Sequence, residues 1–399
     1  MRRRDLLAAG ALSSALSLAG CLETLEREDA WRELVVDPPD GAYVPPKVDE
    51  MLPLGTAAAD GLEVSLSATR PHSFWTVADG ERARADVRDH HDAHLMATVT
   101  DAETGLAVPT SVSTAVHSRD ERIDERTLWP MLSQRMGFHY GDNVPLGEDG
   151  PHDATVRIEP TSAHVSGTLA DRLDTARTVD LEFEYAAEAI ESLDRRLIDE
   201  DEGRGESGAV EPMEHDHDEH GSEDGHDEHG SEDGHDDHDS HSDHGSENGH
   251  GDHDTHEADD RGAEADLEAA TDEWLGTARS GDLEFGVGVL EGGSDGIGED
   301  TVVVSARTRY NQFSLPFVGL SVAPVRDGSL GEKTPLGERL DAELGHHYGA
   351  PLERELRERL ESTTELAVVV DATPQLSRHE GYETAFFDLE PATVGIDLE

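Results

Sequence analysis

The chain has 399 residues, enough for about two domains, and carries 90 acidic against 31 basic residues, a formal charge of −59. So acidic a surface repels nucleic acid and anionic membranes, attracts cations, and folds most easily where salt screens its own repulsion. The composition points to a halophilic, archaeal source: residues 214–260 hold 20 carboxylates and no Lys or Arg, and 70 acids still face 31 bases elsewhere.

Residues 1–21 read as a targeting signal. Arg2-Arg3-Arg4-Asp5-Leu6-Leu7 looks like a twin-arginine export motif, and the apolar run after it ends in Leu18-Ala19-Gly20-Cys21, which looks like a lipobox. The run is shorter than the roughly 20 residues of a membrane span, and small residues before Cys21 suit cleavage and lipid attachment there. The chain is therefore expected on the extracytoplasmic face, tied to the membrane only through a lipid on Cys21. That cysteine is the only one, so a disulfide framework, a Cys-ligated zinc site and a Cys nucleophile are excluded elsewhere. Residues 22–60, with Pro38-Pro39 and Pro45-Pro46, read as a tether.

Residues 61–198 read as a β-sandwich. "GLEVSLSAT", "AHLMATVTD", "TSVSTAVHS", "DATVRIEP" and "TVDLEFEY" alternate apolar and polar residues between Gly, Pro and Asp turns, and residues 186–198 have helical spacing. Residues 199–263 are an expected disordered linker rich in His, Asp and Glu. Twelve of the 23 histidines lie in it: His215, His217, His220, His226, His229, His235, His238, His241, His244, His250, His253 and His256. Imidazole alternating with carboxylate on a flexible chain suits weak capture of zinc, nickel, copper or iron, and raises the local metal concentration.

Residues 264–399 repeat the strand pattern in "LEFGVGVL", "TVVVSARTRY", "FVGLSVAPV", "LAVVVDA" and "ATVGIDL", with an amphipathic helix that aligns Leu352, Leu356 and Leu360. "RMGFHYGDNVPL" pairs with "ELGHHYGAPL" and "ATVRIEPTSAH" with "LAVVVDATPQLSRH", a degenerate internal duplication. The expected fold class is all-β: two tandem β-sandwich units joined by the linker.

Side chains two apart on a strand share a face, so His94 and Met96 point the same way. Met131 and His139 lie in a segment that a turn at Gly137 or Gly141 would fold back on itself, and His164 follows another strand. A sandwich that gathers these five at one end offers three imidazoles and one or two thioethers. Imidazole suits copper, zinc and iron, whereas thioether selects soft ions, cuprous copper above all. Because neutral imidazole is the ligand, affinity is expected to fall below about pH 6.

In this order the motifs resemble the periplasmic iron-transport lipoproteins, metal-binding immunoglobulin-like sandwiches. His94-Leu95-Met96, Pro130-Met131, His139-Tyr140-Gly141, "ATVRIEP", His164 and "TVDLEFEY" match that family's pattern between about Gly61 and Tyr185. The resemblance implies that His94, Met131, His139 and His164 are metal ligands. It departs at Met96, where the family has an acid, which favours copper over iron. The second unit keeps His347-Tyr348-Gly349 and His379. It has Thr301 near the place of His94 and Arg339 near that of Met131, so it is expected to bind metal weakly or not at all. The resemblance also implies homodimers, or a pseudo-dimer in which the second unit replaces a partner. The expected function is binding of copper or iron, with zinc possible, as an accessory to uptake through a membrane metal permease. Copper or zinc buffering without a transporter and a structural surface role stand as alternatives. No catalytic motif is recognisable, so no enzyme is expected.

Overall fold

The protein is described by a computed structural model for residues 39–119, 121–170, 172–213, 267–292, 300–360 and 362–396. The targeting segment, Cys21 and all twelve linker histidines lie outside the described residues. Among the described residues no helix is long and apolar enough to cross a membrane.

The first unit contains β1 (Lys47–Asp49), β2 (Leu52–Ala59), β3 (Leu62–Thr69), β4 (Phe74–Ala78), β5 (Glu81–Ala85), β6 (Ala93–Asp101) and β7 (Val112–Ser118). It continues with β8 (Glu121–Thr127), β9 (Trp129–Ser133), β10 (Gly137–Val144), β11 (Gly150–Ile158), β12 (His164–Val165), β13 (Arg177–Tyr185), α1 (Ala187–Ser192) and β14 (Arg195–Leu197). The second contains α2 (Leu267–Ala270), β15 (Glu273–Ser280), β16 (Leu283–Leu290), β17 (Thr301–Thr308), β18 (Gly319–Arg326), β19 (Ser329–Leu330) and β20 (Thr334–Asp341). It ends with β21 (Gly345–Pro351), α3 (Arg354–Leu360), β22 (Glu365–Ala372), β23 (Ser377–Arg378) and β24 (Ala392–Gly395).

Alternation explains the sandwich. In β13, Val179, Leu181, Phe183 and Tyr185 are buried while Asp180, Glu182 and Glu184 face outward, so one strand supplies both core and acidic surface. The first unit packs the run β2-β3-β6-β10-β9 over the sheet β13-β11-β7-β8 around Leu66, Leu95, Tyr140, Val156 and Phe183. The second has the same plan, β15-β16-β17-β21-β20 over β20-β18-β22-β24. Its β20 serves both layers, with residues 334–336 on β18 and 337–341 on β21, where the first unit uses β8 and then β9. Both units carry a bulge at a glycine in their first long strand, Gly55 and Gly276. In both, a buried tyrosine hydroxyl bridges a loop: Tyr140 donates to Val108 O and Tyr348 to Leu315 O, each at 2.8 Å. The expected duplication is thus visible strand by strand.

The two sandwiches belong to one compact unit. They exchange short strands: β12 adds in parallel to β20 and β23 in parallel to β9. Equivalent leucines cross as well. Leu132 of β9 packs in the second core and Leu340 of β20 in the first.

Three expectations need correction. Residues 47–59, read as tether, form β1 and β2: β2 pairs with β3 and β1 with β14, and prolines tolerated on edge strands had disguised them. The helix expected over 186–198 is only α1, after which β14 turns back to β1. Residues 199–213, assigned to the linker, lie on the fold, with Val210 N–H donating to Gln134 Oε1 (2.8 Å) and Met213 N–H to Arg135 O (2.9 Å).

Candidate metal centre

The segment that holds Met131 and His139 folds back on itself as a hairpin. β9 and β10 pair antiparallel with Met131 opposite His139, and β6 pairs along the other edge of β10 with His94 opposite Asn143 and Met96 opposite Gly141. Cross-strand partners share a face, so His94, Met96, Met131 and His139 stand together on the face turned away from the first core. Leu95, Ala97 and Tyr140 fill that core on the opposite face. All four are buried, none above 1 % exposed. Such burial on both faces requires a cover, supplied by the loop before β4, which carries His72, and by β23, which carries His379 in its wake.

The structure brings His94, Met131 and His139 together and replaces His164. His164 is exposed and stands opposite Arg339 on β20 of the second unit. Strand exchange is the reason: the segment after β11 leaves its own sandwich. In the reciprocal position Ser377 stands opposite Met131. Two residues on, the Nε2 atoms of His379 and His139 are 3.4 Å apart. His379, which the sequence suggested for the second unit, therefore belongs to the first unit's cluster. Arg378 fixes its loop from a fully buried position, donating to Pro374 O (2.9 Å) and Thr373 Oγ1 (3.0 Å) and lying over the Phe387 ring at 4.6 Å.

His72 joins the cluster although sequence reasoning missed it. Its ring centroid lies 4.1 Å from that of His94 and 4.8 Å from that of His379. A lone histidine after a proline, in a segment with no periodicity, gives no signal of its own.

Hydrogen bonds fix the tautomers. His139 Nδ1 donates to Gly137 O (3.0 Å) and His72 Nδ1 to Arg70 O (3.2 Å). Asn143 Nδ2 donates to His72 O (2.9 Å), which orients the amide so that its Oδ1 accepts from His94 Nδ1 (3.1 Å). All three rings then carry a lone pair on Nε2. Those of His72 and His94 are buried without a hydrogen-bond partner, a state that costs about 1–3 kcal/mol each. The pairing of one ring nitrogen with a carbonyl or amide oxygen is the arrangement that prepares the other for a metal.

Burial also keeps the rings neutral. It pushes His72 and His139 down to about 4. His94 and His379 are held well below the ordinary imidazole value, by burial first and then by neighbouring imidazoles. The loss of affinity expected below about pH 6 is accordingly displaced toward pH 4. His152, also buried, makes a contrast: both of its ring nitrogens face carbonyl oxygens, Gly150 O and Leu146 O, at 2.8 Å. It is a packing residue.

Among the described residues no three His, Cys, Asp or Glu side chains already form a cage for an ion. The cluster nevertheless fits one by its donors and spacing. The 3.4 Å between the Nε2 atoms of His139 and His379 is the edge of a tetrahedral site with metal–nitrogen bonds of about 2.0–2.1 Å. A Cβ added at Gly141 would lie 2.9 Å from both His94 Nε2 and Met131 Sδ, so the glycine leaves the gap that those two donors border. His94, His139, His379 and Met131 could hold a metal there, with His72 and Met96 beside them.

The second unit shows what closes such a gap. By register Thr301 stands where the first unit has His94 and Arg339 where it has Met131. A Cβ on Gly349, the counterpart of Gly141, would meet Arg339 Cδ and Nε at 3.1 Å. A guanidinium occupies the space beside His347. Ser166, the counterpart of His379, donates to Asp341 Oδ2 at 2.7 Å.

A family model described as a domain of unknown function (DUF7350) matches residues 268–395. No curated protein matches the chain. Solved structures with some similarity include FetP from uropathogenic Escherichia coli, as isolated (20 % identity, TM-score 0.26, 34 % of this chain and 97 % of that one). They also include a copper-bound variant of FetP (20 %, 0.27, 34 % and 93 %) and a copper-bound variant of Campylobacter jejuni P19 (18 %, 0.26, 34 % and 98 %).

Proposed function

We propose that the chain is an extracytoplasmic metal-binding protein whose first sandwich, completed by His379, holds one soft transition-metal ion. The supporting observation is the set of buried, neutral imidazoles: the unpartnered His94 Nε2 borders the same gap as the Met131 sulfur, and the Nε2 atoms of His139 and His379 lie 3.4 Å apart. All of these donors are uncharged. Burying an ion costs free energy that grows steeply with its charge, so a monovalent ion on neutral ligands is favoured over a divalent one. Thioether adds the same preference. Cuprous copper therefore ranks first, zinc can use the imidazoles alone, and iron is least suited because no carboxylate joins the set.

The motif order that resembles the iron-transport lipoproteins supports metal uptake as the process served, with a membrane permease receiving the ion. In this reading Cys21 carries the lipid anchor, the His- and Asp-rich run collects metal, and the second unit takes the place of a partner subunit. The protein binds and passes on its ion without turnover of a substrate.

Competition titrations of the full chain with Cu(I), Zn(II) and Fe(II) against chromophoric chelators test this. Because the His-rich run also binds metal, the comparison is between the parent and His94→Ala. The parent is expected to hold one Cu(I) more tightly than any other equivalent, and the variant to lose that equivalent alone. Identical Cu(I) isotherms for the two proteins would overturn the proposal.

A further inference from the structure

Apart from Met1 the chain has five methionines, Met51, Met96, Met131, Met136 and Met213. Met131 belongs to the imidazole centre. The other four line a single cavity of about 150 Å³, whose wall also carries His72 and His379. They come from the residue before β2, from β6, from the β9–β10 turn and from the segment ending at residue 213, so neighbourhood in sequence does not group them. Nor does a need for core filler. The two large apolar cores are built from Leu, Val, Ile, Phe, Tyr and Ala and contain no methionine. A side chain usually spent on filling irregular interiors is here confined to the centre and the cavity next to it.

We propose that this cavity is a second soft-metal site, a thioether antechamber that binds cuprous or silver ion beside the imidazole centre. Thioether sulfur selects such ions and needs no proton loss to bind them. His72 and His379 border both spaces, so an ion held by the sulfurs lies next to the rings of the centre. The wall also carries Asp49, Glu380 and Glu383, and its cationic groups are paired with the first of these: Lys47 Nζ with Asp49 Oδ2 at 2.7 Å, and Arg135 Nη1 donating to Asp49 O at 2.8 Å. In sequence, Met213 directly precedes the His- and Asp-rich run.

The inference rests on the soft-metal reading of the centre, and the test separates the two. The full chain is labelled at the methionine methyl carbons and titrated with Ag(I), which is redox-inert, while methyl resonances are recorded. Single Met→Leu variants, close in volume, assign each signal by its loss. The resonances of Met51, Met96, Met131 and Met136 report their own sites whatever the His-rich run takes up, whereas that of Met213, next to the run, counts only together with theirs. Shifts at Met131 and also at Met51, Met96, Met136 and Met213 are expected. A shift at Met131 with Met51, Met136 and Met213 unmoved through excess silver would overturn the antechamber and leave the centre standing. A static Met131 would overturn the centre itself, and with it this inference.

Discussion

An imidazole whose Nδ1 is tied to a fixed oxygen has one lone pair left, and the ring plane decides where it points. His72, His94 and His139 are all tied in this way, and Gly141 keeps clear the space that His94 and Met131 face. A methyl group there is a small change with a local effect. Gly141→Ala is expected to weaken Cu(I) binding by about 100-fold or more, equivalent to about 3 kcal/mol, while costing the metal-free fold only about 1–3 kcal/mol by overpacking. Parallel metal titration and urea denaturation check both parts. Undiminished affinity would contradict the assigned gap. Asn143→Leu leaves the gap but frees the His94 ring, and a drop of about 10–100-fold is expected from the loss of such an orienting partner.

The same burial sets a pH dependence. In the folded metal-free protein His72 and His139 stay neutral down to about 4, whereas in the unfolded chain they take up protons below about 6.5. Their folded values are depressed, so stability is undiminished above pH 6.5 and declines as pH falls toward 4. The decline is about 3 kcal/mol for each of these two rings. His94 and His379 act in the same sense. Glu380, raised to about 7 by burial, and Glu383, also raised by burial, act in the opposite sense, and four imidazoles outweigh two carboxyls. Urea midpoints at pH 7 and pH 5 are expected to fall on acidification; equal midpoints would show that the rings are not buried as neutral groups.

At the scale of elements, the exchange of β12 and β23 decides which histidine serves which unit. Strands such as β3, β6, β11 and β13 were legible because one buried face forces alternation, and that pleat also put His94 and Met96 on one side. Met131 and His139 were legible as a pair because a short turn can only set them opposite each other. The third imidazole was not. His164 comes after a strand, as a ligand would, but nothing in a strand's pattern says whether the next segment stays on its own sandwich or crosses to another. The repeat did hold a clue: "TSAHVS" set on "PQLSRH" places His164 over Ser377 and leaves His379 two residues further on, over Ser166. His379→Ala is therefore expected to weaken Cu(I) binding by more than the about 10–100-fold that a supporting residue is worth. His164→Ala is expected to leave it unchanged. The opposite ranking, measured by competition titration of the two variants, would restore the order suggested by the motif.

At the scale of the whole molecule, two sandwiches of the same plan have diverged in one place. The first keeps a gap bordered by imidazole and thioether, and the second fills its counterpart with Arg339 and gives its own histidine away. One chain thereby carries two half-contributions, so neither sandwich alone has the full set of donors. The most direct measurement is anomalous diffraction at the copper edge from crystals of the full chain loaded with Cu(I). The account predicts a peak at bonding distance, about 2.0–2.3 Å, from the Nε2 atoms of His94, His139 and His379 and from Met131 Sδ. A copper peak in this cluster bonded only to first-unit residues, with His379 turned away, would contradict it.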